Sequence, residues 1–139
     1  MAAPTTTAPI KRALVRSLRA IPSWGTAVPG GVHQSLAPRK QRYPFVTYNL
    51  LPAVRDYQFD GMQLTTDVDV FAYSENAVDA ENVDSLIAAH LQDAPLAVDG
   101  QVLLYCRRVA DVSNPQTDAR GRRIYQIGGT YRITTDQNL

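Results

Sequence analysis

Two histidines and one cysteine are the residues of this 139-residue chain most suited to chemistry near neutral pH. With His33, His90 and Cys106 alone, a zinc site of usual composition would need an acidic fourth ligand or ligands from several chains. His90 falls on the apolar face of a helical pattern, where a satisfied core histidine is the simpler account. Cys106 lies in an alternating strand beside Leu104, the setting of a buried small hydrophobe rather than a nucleophile. Asp67 and Asp69, two apart on a strand, share one face as a carboxylate pair would. The solvated face of a half-buried strand explains them without chemistry. Gly25, Gly30 and Gly31 lack the strand–loop–helix spacing and the Lys-Ser/Thr ending of a phosphate-cradling loop. The sequence therefore predicts no catalytic residue, no metal, no cofactor and no enzyme.

The cations are harder to set aside. Lys11, Arg12, Arg16 and Arg19 fall within twelve residues, and Arg120, Arg122 and Arg123 fall within four. Net charge is +1, yet residues 1–55 carry +8 with no acid, residues 56–99 carry −10 with no Lys or Arg, and residues 100–139 carry +3. Such segregation has two readings. The basic segment packs beside the acidic one within a monomer, or the basic surface of one copy meets the acidic surface of the next, head to tail. The arginine loop likewise either keeps a hairpin soluble or docks a partner.

The elements that must position these residues are legible as patterns. Ile10, Leu14, Leu18 and Ile21 repeat at helical spacing, with Pro9 suited to a helix start and Pro22 ending it. Trp24-Gly25 and Pro29-Gly30-Gly31 mark an irregular connection, with a short strand around Val32–Leu36. A strand over 44–51 is followed by a long connection, 52–61. In the next strand Leu64, Thr66, Val68 and Val70 predict a core face, and Thr65, Asp67, Asp69 and Phe71 an acidic, wet one. Val83, Leu86, Ile87, His90 and Leu91 predict the buried stripe of a second helix, with Ser74 as its cap. Val102, Leu104 and Cys106 should share one side of a fifth segment. Tyr125, Ile127, Tyr131 and Ile133 should line the last, where Gly128-Gly129 signals a bulge or a close backbone approach. The expected fold is α+β: a single domain with an antiparallel sheet of about four strands and two main helices packed on one face. Residues 1–9 read as a flexible arm, 10–134 as the domain and 135–139 as a C-terminal tail. No apolar run approaches the ~18–20 residues that span a bilayer. With no hydrophobic leader and one cysteine, the chain reads as soluble and intracellular.

In element order and spacing, residues 10–134 resemble the tail terminator (tail completion, tail-to-head joining) proteins of long-tailed bacteriophages. The features carrying the resemblance are the helix IKRALVRSLRAI, the Pro-flanked strand YPFVTYNL, and the strand TTDVDVFAYS running directly into AVDAENVDSLIAAHL. The closing pair VLLYCRRVADV and RRIYQIGGTYRI completes it. The resemblance implies a virion structural protein: a ring, usually of six subunits, that caps the tail tube when it reaches its length and docks onto the head connector. Implied partners are further copies of the chain, the tail tube protein, a head-side stopper or adaptor, and viral DNA passing through the lumen without sequence-specific binding. The implied location is the virion neck, with assembly in the host cytoplasm. Such a family has no active site to carry over. The long 22–42 connection departs from the pattern.

Within that frame, Tyr57, Phe59 and Asp60 in one loop and Arg120, Arg122 and Arg123 in another are the expected interface residues, because exposed aromatics and arginines anchor interfaces. Asp67 and Asp69 are candidates to face the lumen, where repulsion from phosphates would keep DNA sliding. Another neck component, such as a head-completion or stopper protein, is the neighbouring alternative. A nucleic-acid-binding module is the alternative from another class, and it predicts affinity that falls steeply with salt.

Overall fold

A computed structural model describes residues 7–35, 42–58, 61–93, 95–118 and 120–138. Helix α1 (Ala8–Arg19) begins with Pro in its first turn and buries Ile10, Ala13, Leu14 and Leu18. Arg16 and Arg19 stand in its last turn, where they complement the helix dipole. A four-residue helix, α2 (Trp24–Ala27), and a three-residue strand, β1 (Val32–Gln34), occupy the connection. Strands β2 (Phe45–Leu50), β3 (Val54–Gln58) and β4 (Gly61–Ser74) lead into helix α3 (Ala77–Leu91), and β5 (Val102–Thr117) and β6 (Arg123–Asn138) close the chain.

The sheet order is β1-β2-β4-β6-β5, with β3 also on β4. Strand β4 is the spine. One edge pairs with β6 along its whole length, from Gly61↔Asn138 to Ser74↔Tyr125. Its other edge is shared end to end by β2 (Leu50↔Val68 to Phe45↔Tyr73) and β3 (Gln58↔Gly61 to Val54↔Thr65). Alternation along β4 is complete: residues 62, 64, 66, 68, 70, 72 and 74 are buried, and the intervening ones are half-buried. The buried set meets α1 and α3, so the core lies between one sheet face and the helices. Val46, Leu64, Val68, Tyr131 and Ile133 face Leu14, Leu18, Ile87 and Leu91 there.

The expected four antiparallel strands and two helices are corrected to six strands in a mixed sheet and three helices. Strand β1 runs parallel to β2. Strand β3 lies in what read as a connection; Val54, Arg55, Asp56 and Tyr57 are all exposed, so it buries no face and has no alternation to detect. Helix α2 is too short for periodicity.

Local expectations also change. The α3 cap is Asn76, whose Oδ1 accepts from Val78 N at 2.8 Å, while Ser74 Oγ accepts from Asn76 N. The buried stripe is Ala80, Val83, Ile87 and Leu91, with Leu86 turned outward. Val102, Leu104 and Cys106 do not share a face. A bulge between Leu103 and Tyr105 shifts the alternation, so Val102 and Leu104 are exposed and Cys106 is fully buried. Strand β6 continues through residues 135–138, the stretch read as a tail. Residues 1–6 of the expected arm lie outside the described residues.

Candidate functional site

The open face of the sheet is a ladder of cross-strand polar pairs. Thr65 and Thr134 hydroxyls meet at 3.2 Å, and Arg132 donates twice to Asp67, at 2.9 and 3.2 Å. Thr130 donates to Asp69 at 2.6 Å. Gln116 donates to Gln126, which donates to Tyr73. Asp67 and Arg132 are directly opposed in register, which is why they pair. The hydrogen bond and charge of Asp67 raise the Arg132 guanidinium above its usual range. The face expected to be acidic is thus partly self-neutralised, with Asp69 held by a neutral hydroxyl. Toward the β2 end it becomes aromatic: Phe45 stacks on Tyr73 at 5.0 Å, Tyr43 lies 5.4 Å from Phe45, and Phe71 covers Gly128.

Tyr57 and the arginines of the other predicted set lie at opposite ends of β4, which at ~3.3 Å per residue puts them about 45 Å apart. Tyr57 is 77% exposed on β3, at the Gly61 end. Phe59 and Asp60 lie outside the described residues. At the Ser74 end, Asp118 organises the β5–β6 turn by accepting from the Arg120 and Arg122 backbone N–H groups, both at 2.9 Å. The Arg122 donor first and the Arg120 donor after it hold its carboxyl below the usual range. Arg122 reaches Glu75 at 2.9 Å and Asp118 at 3.4 Å, tying the turn to the β4–α3 junction. Arg120 and Arg123 are exposed, with no ion pair among the described residues. Arg122 is thus committed within the chain, and its two neighbours remain available.

The histidines and the cysteine first weighed for chemistry are all buried or half-buried. His33 Nε2 donates to the Gly30 carbonyl at 2.8 Å, and its ring meets Phe45 edge-on. His90 is half-buried at the rim of α3. Burial, with the Asp93 charge second, pushes the Cys106 thiol up to about 11, away from reactive thiolate. Among the described residues no three His, Cys, Asp or Glu side chains gather as a metal site would require, and no helix is long and apolar enough to cross a membrane.

Arg108 was missed by the sequence reading. It leaves β5 toward α3, where it donates to both Asp84 oxygens, to Asp111, to the Tyr131 hydroxyl and to the Gly128 carbonyl. Its guanidinium occupies the space that a side chain at residue 129 would fill, 2.6 Å from an ideal Cβ. This is the close approach that Gly128-Gly129 signalled. Asp84, set between the inward-facing Val83 and Ile87, was the available clue.

Comparisons with known proteins agree with this architecture. A chain from the virion of a native gene transfer agent particle superposes with a TM-score of 0.72 at 14% identity, covering 91% of this chain and 94% of that one. The gp17 protein of bacteriophage SPP1 gives 0.50 at 19% identity, covering 94% and 91%. Both are likenesses of fold. No curated protein matches the sequence. The family model for tail completion protein gp17 matches residues 12–135, nearly the whole chain, and the chain therefore belongs to the tail completion protein gp17 family of phage tail structural proteins.

Proposed function

We propose that this chain ends tail-tube growth and joins the finished tail to the head, acting as a ring of copies, with six as the expected number. Family membership supports the tail role. The observation that carries the finer reading is the polarity of the subunit. Its β3–β4 hairpin and its β5–β6 turn stand at opposite ends of a 14-residue strand that is paired on both edges. A stiff subunit of this kind can offer Tyr57 to one neighbour along the tail axis and Arg120 and Arg123 to the other. One end would sit on the last tube ring and the other on a head-side stopper or adaptor. The open sheet face would line the lumen. There Arg132 offsets Asp67, and repulsion of passing DNA falls mainly to Asp69.

Electron microscopy of particles assembled without this chain tests the role. Unjoined heads and tails of uneven length are expected, and normal virions would overturn it. Arg120→Glu/Arg123→Glu tests the turn separately. Accumulation of unjoined heads is expected, and normal joining would remove the turn from docking. Carboxylates 67 and 69 on the outer wall of an assembled ring would remove the lumen assignment.

A further inference from the structure

Two patches of opposite charge and similar build lie on the helix layer. On α1, Lys11, Arg12, Arg16 and Arg19 surround Val15, and with Tyr48 of β2 they line an open groove of ≈ 450 Å³. Lys11 donates to Gln34 at 3.4 Å. Among the described residues, none of the four cations is in an ion pair. On α3, Val78 and Leu86 are 59% and 40% exposed. Helical spacing sets Asn82, Ser85 and Ala89 in the same outward stripe, with Glu81 on one flank and Asp79 on the other. Arg42 shares a shallow cleft with Asp79, and neither Asp79 nor Glu81 is in an ion pair among the described residues.

The charge segregation is therefore resolved only in part within one chain. Arg108, Arg122 and Arg132 satisfy Asp84, Glu75 and Asp67, and the cations of α1 take no share. We infer that the cationic groove of α1 on one copy receives the acid-flanked Val78–Leu86 stripe of α3 from the next. This rests on the reading of the chain as self-associating. Each patch has apolar side chains within a charged rim, Val15 on α1 and Val78 and Leu86 on α3, and the rims have opposite sign, as the two halves of an oriented contact require. Made once per pair of copies, the contact is heterologous and repeats in one direction until it closes; made twice across a two-fold it would stop at a dimer, and native mass distinguishes the two. It uses neither end of β4 nor the open sheet face, leaving them for tube, head and lumen. A nucleic acid would satisfy the cations but leave the α3 stripe without a partner; a second copy accounts for both.

Native mass by light scattering, over a concentration series at low and high salt, tests the contact. The wild-type chain should assemble in a salt-sensitive way. Arg12→Glu/Arg16→Glu and Asp79→Arg/Glu81→Arg should each raise the assembly midpoint about tenfold or more. Mixed one to one, they should assemble together, because the reversed groove of the first meets the reversed stripe of the second and the two native patches meet with their original signs. Circular dichroism and melting establish that each is folded, and Arg12→Gln/Arg16→Gln, which should weaken assembly in the same direction, serves if the reversal does not fold. Wild-type assembly by either variant, no rescue on mixing, or a wild-type chain monomeric throughout would each overturn the contact. So would loss of binding to a mixed-sequence DNA duplex by Arg12→Glu/Arg16→Glu with native mass unchanged. None of these results alters the microscopy outcome, so the contact can fail while the tail role stands.

Discussion

Arg108 on β5 and Asp84 on α3 are joined by two hydrogen bonds of 2.8 and 3.1 Å, with only 18% and 15% of their side chains exposed. The bonds to Asp84 are the foremost reason that the guanidinium pKa is raised. The pair locks the helix layer to β5, the edge strand of the sheet. Removing Arg108 strands Asp84 in a largely buried setting, whereas Arg108 without Asp84 keeps Asp111 at 2.6 Å. Arg108→Ala should therefore cost about 2–3 kcal/mol, somewhat below the range for fully buried pairs. Urea unfolding measures it. Asp84→Leu/Arg108→Met should cost clearly less than the sum of the single changes, and strict additivity would show that the two residues act independently.

Gly129 is required by the same arrangement. A Cβ there would stand 2.6 Å from both Arg108 Nε and the Ala110 carbonyl oxygen. Gly129→Ala should destabilise by about 2–3 kcal/mol through overpacking. In an Arg108→Ala background the penalty should shrink without vanishing, because the carbonyl remains. Thermal melting of the four combinations reads this directly, and an equal penalty in both backgrounds would remove Arg108 from the explanation.

Cys106 predicts a loss of stability in alkali. Burial, with the Asp93 charge second, raises its thiol from 9.0 to about 11. Between those values the unfolded chain has lost a proton that the folded chain keeps, so stability falls as pH rises through the window. The shift corresponds to about 2–3 kcal/mol. Tyr131 and Tyr43, raised chiefly by burial, add losses of the same sign at higher pH. Cys106→Ala should flatten the decline between about pH 9 and pH 11 in urea unfolding. An unchanged slope would assign the loss elsewhere.

Thr66 offers a gain. It is fully buried on the core face of β4, and its hydroxyl finds no hydrogen-bond partner among the described residues. Thr66→Val keeps the shape and removes the unsatisfied group, so stability should rise by about 1 kcal/mol. A lower melting temperature would mean that the hydroxyl has a partner.

The sequence by itself determined the elements that bury one face. Helix α1, the alternation of β4 and its direct passage into α3, and the stripe of Tyr131 and Ile133 were all written in periodicity, because each inward side chain recurs at the spacing its backbone imposes. Those patterns also carried the family resemblance. Only the tertiary structure could decide the rest. Exposed β3 has no inward face to signal it, α2 is too short for any period, and the short strand expected near Val32 carries nothing that marks its parallel pairing with β2. The bulge at Leu104 turns Val102 outward, which alternation counted along one strand cannot anticipate. Pairing of charges was equally out of reach: Asp67 finds Arg132 and Asp84 finds Arg108 across 65 and 24 residues of chain. Ionic partners are chosen by register and packing rather than by proximity in sequence. That choice separates arginines held within the fold from those left on its surface.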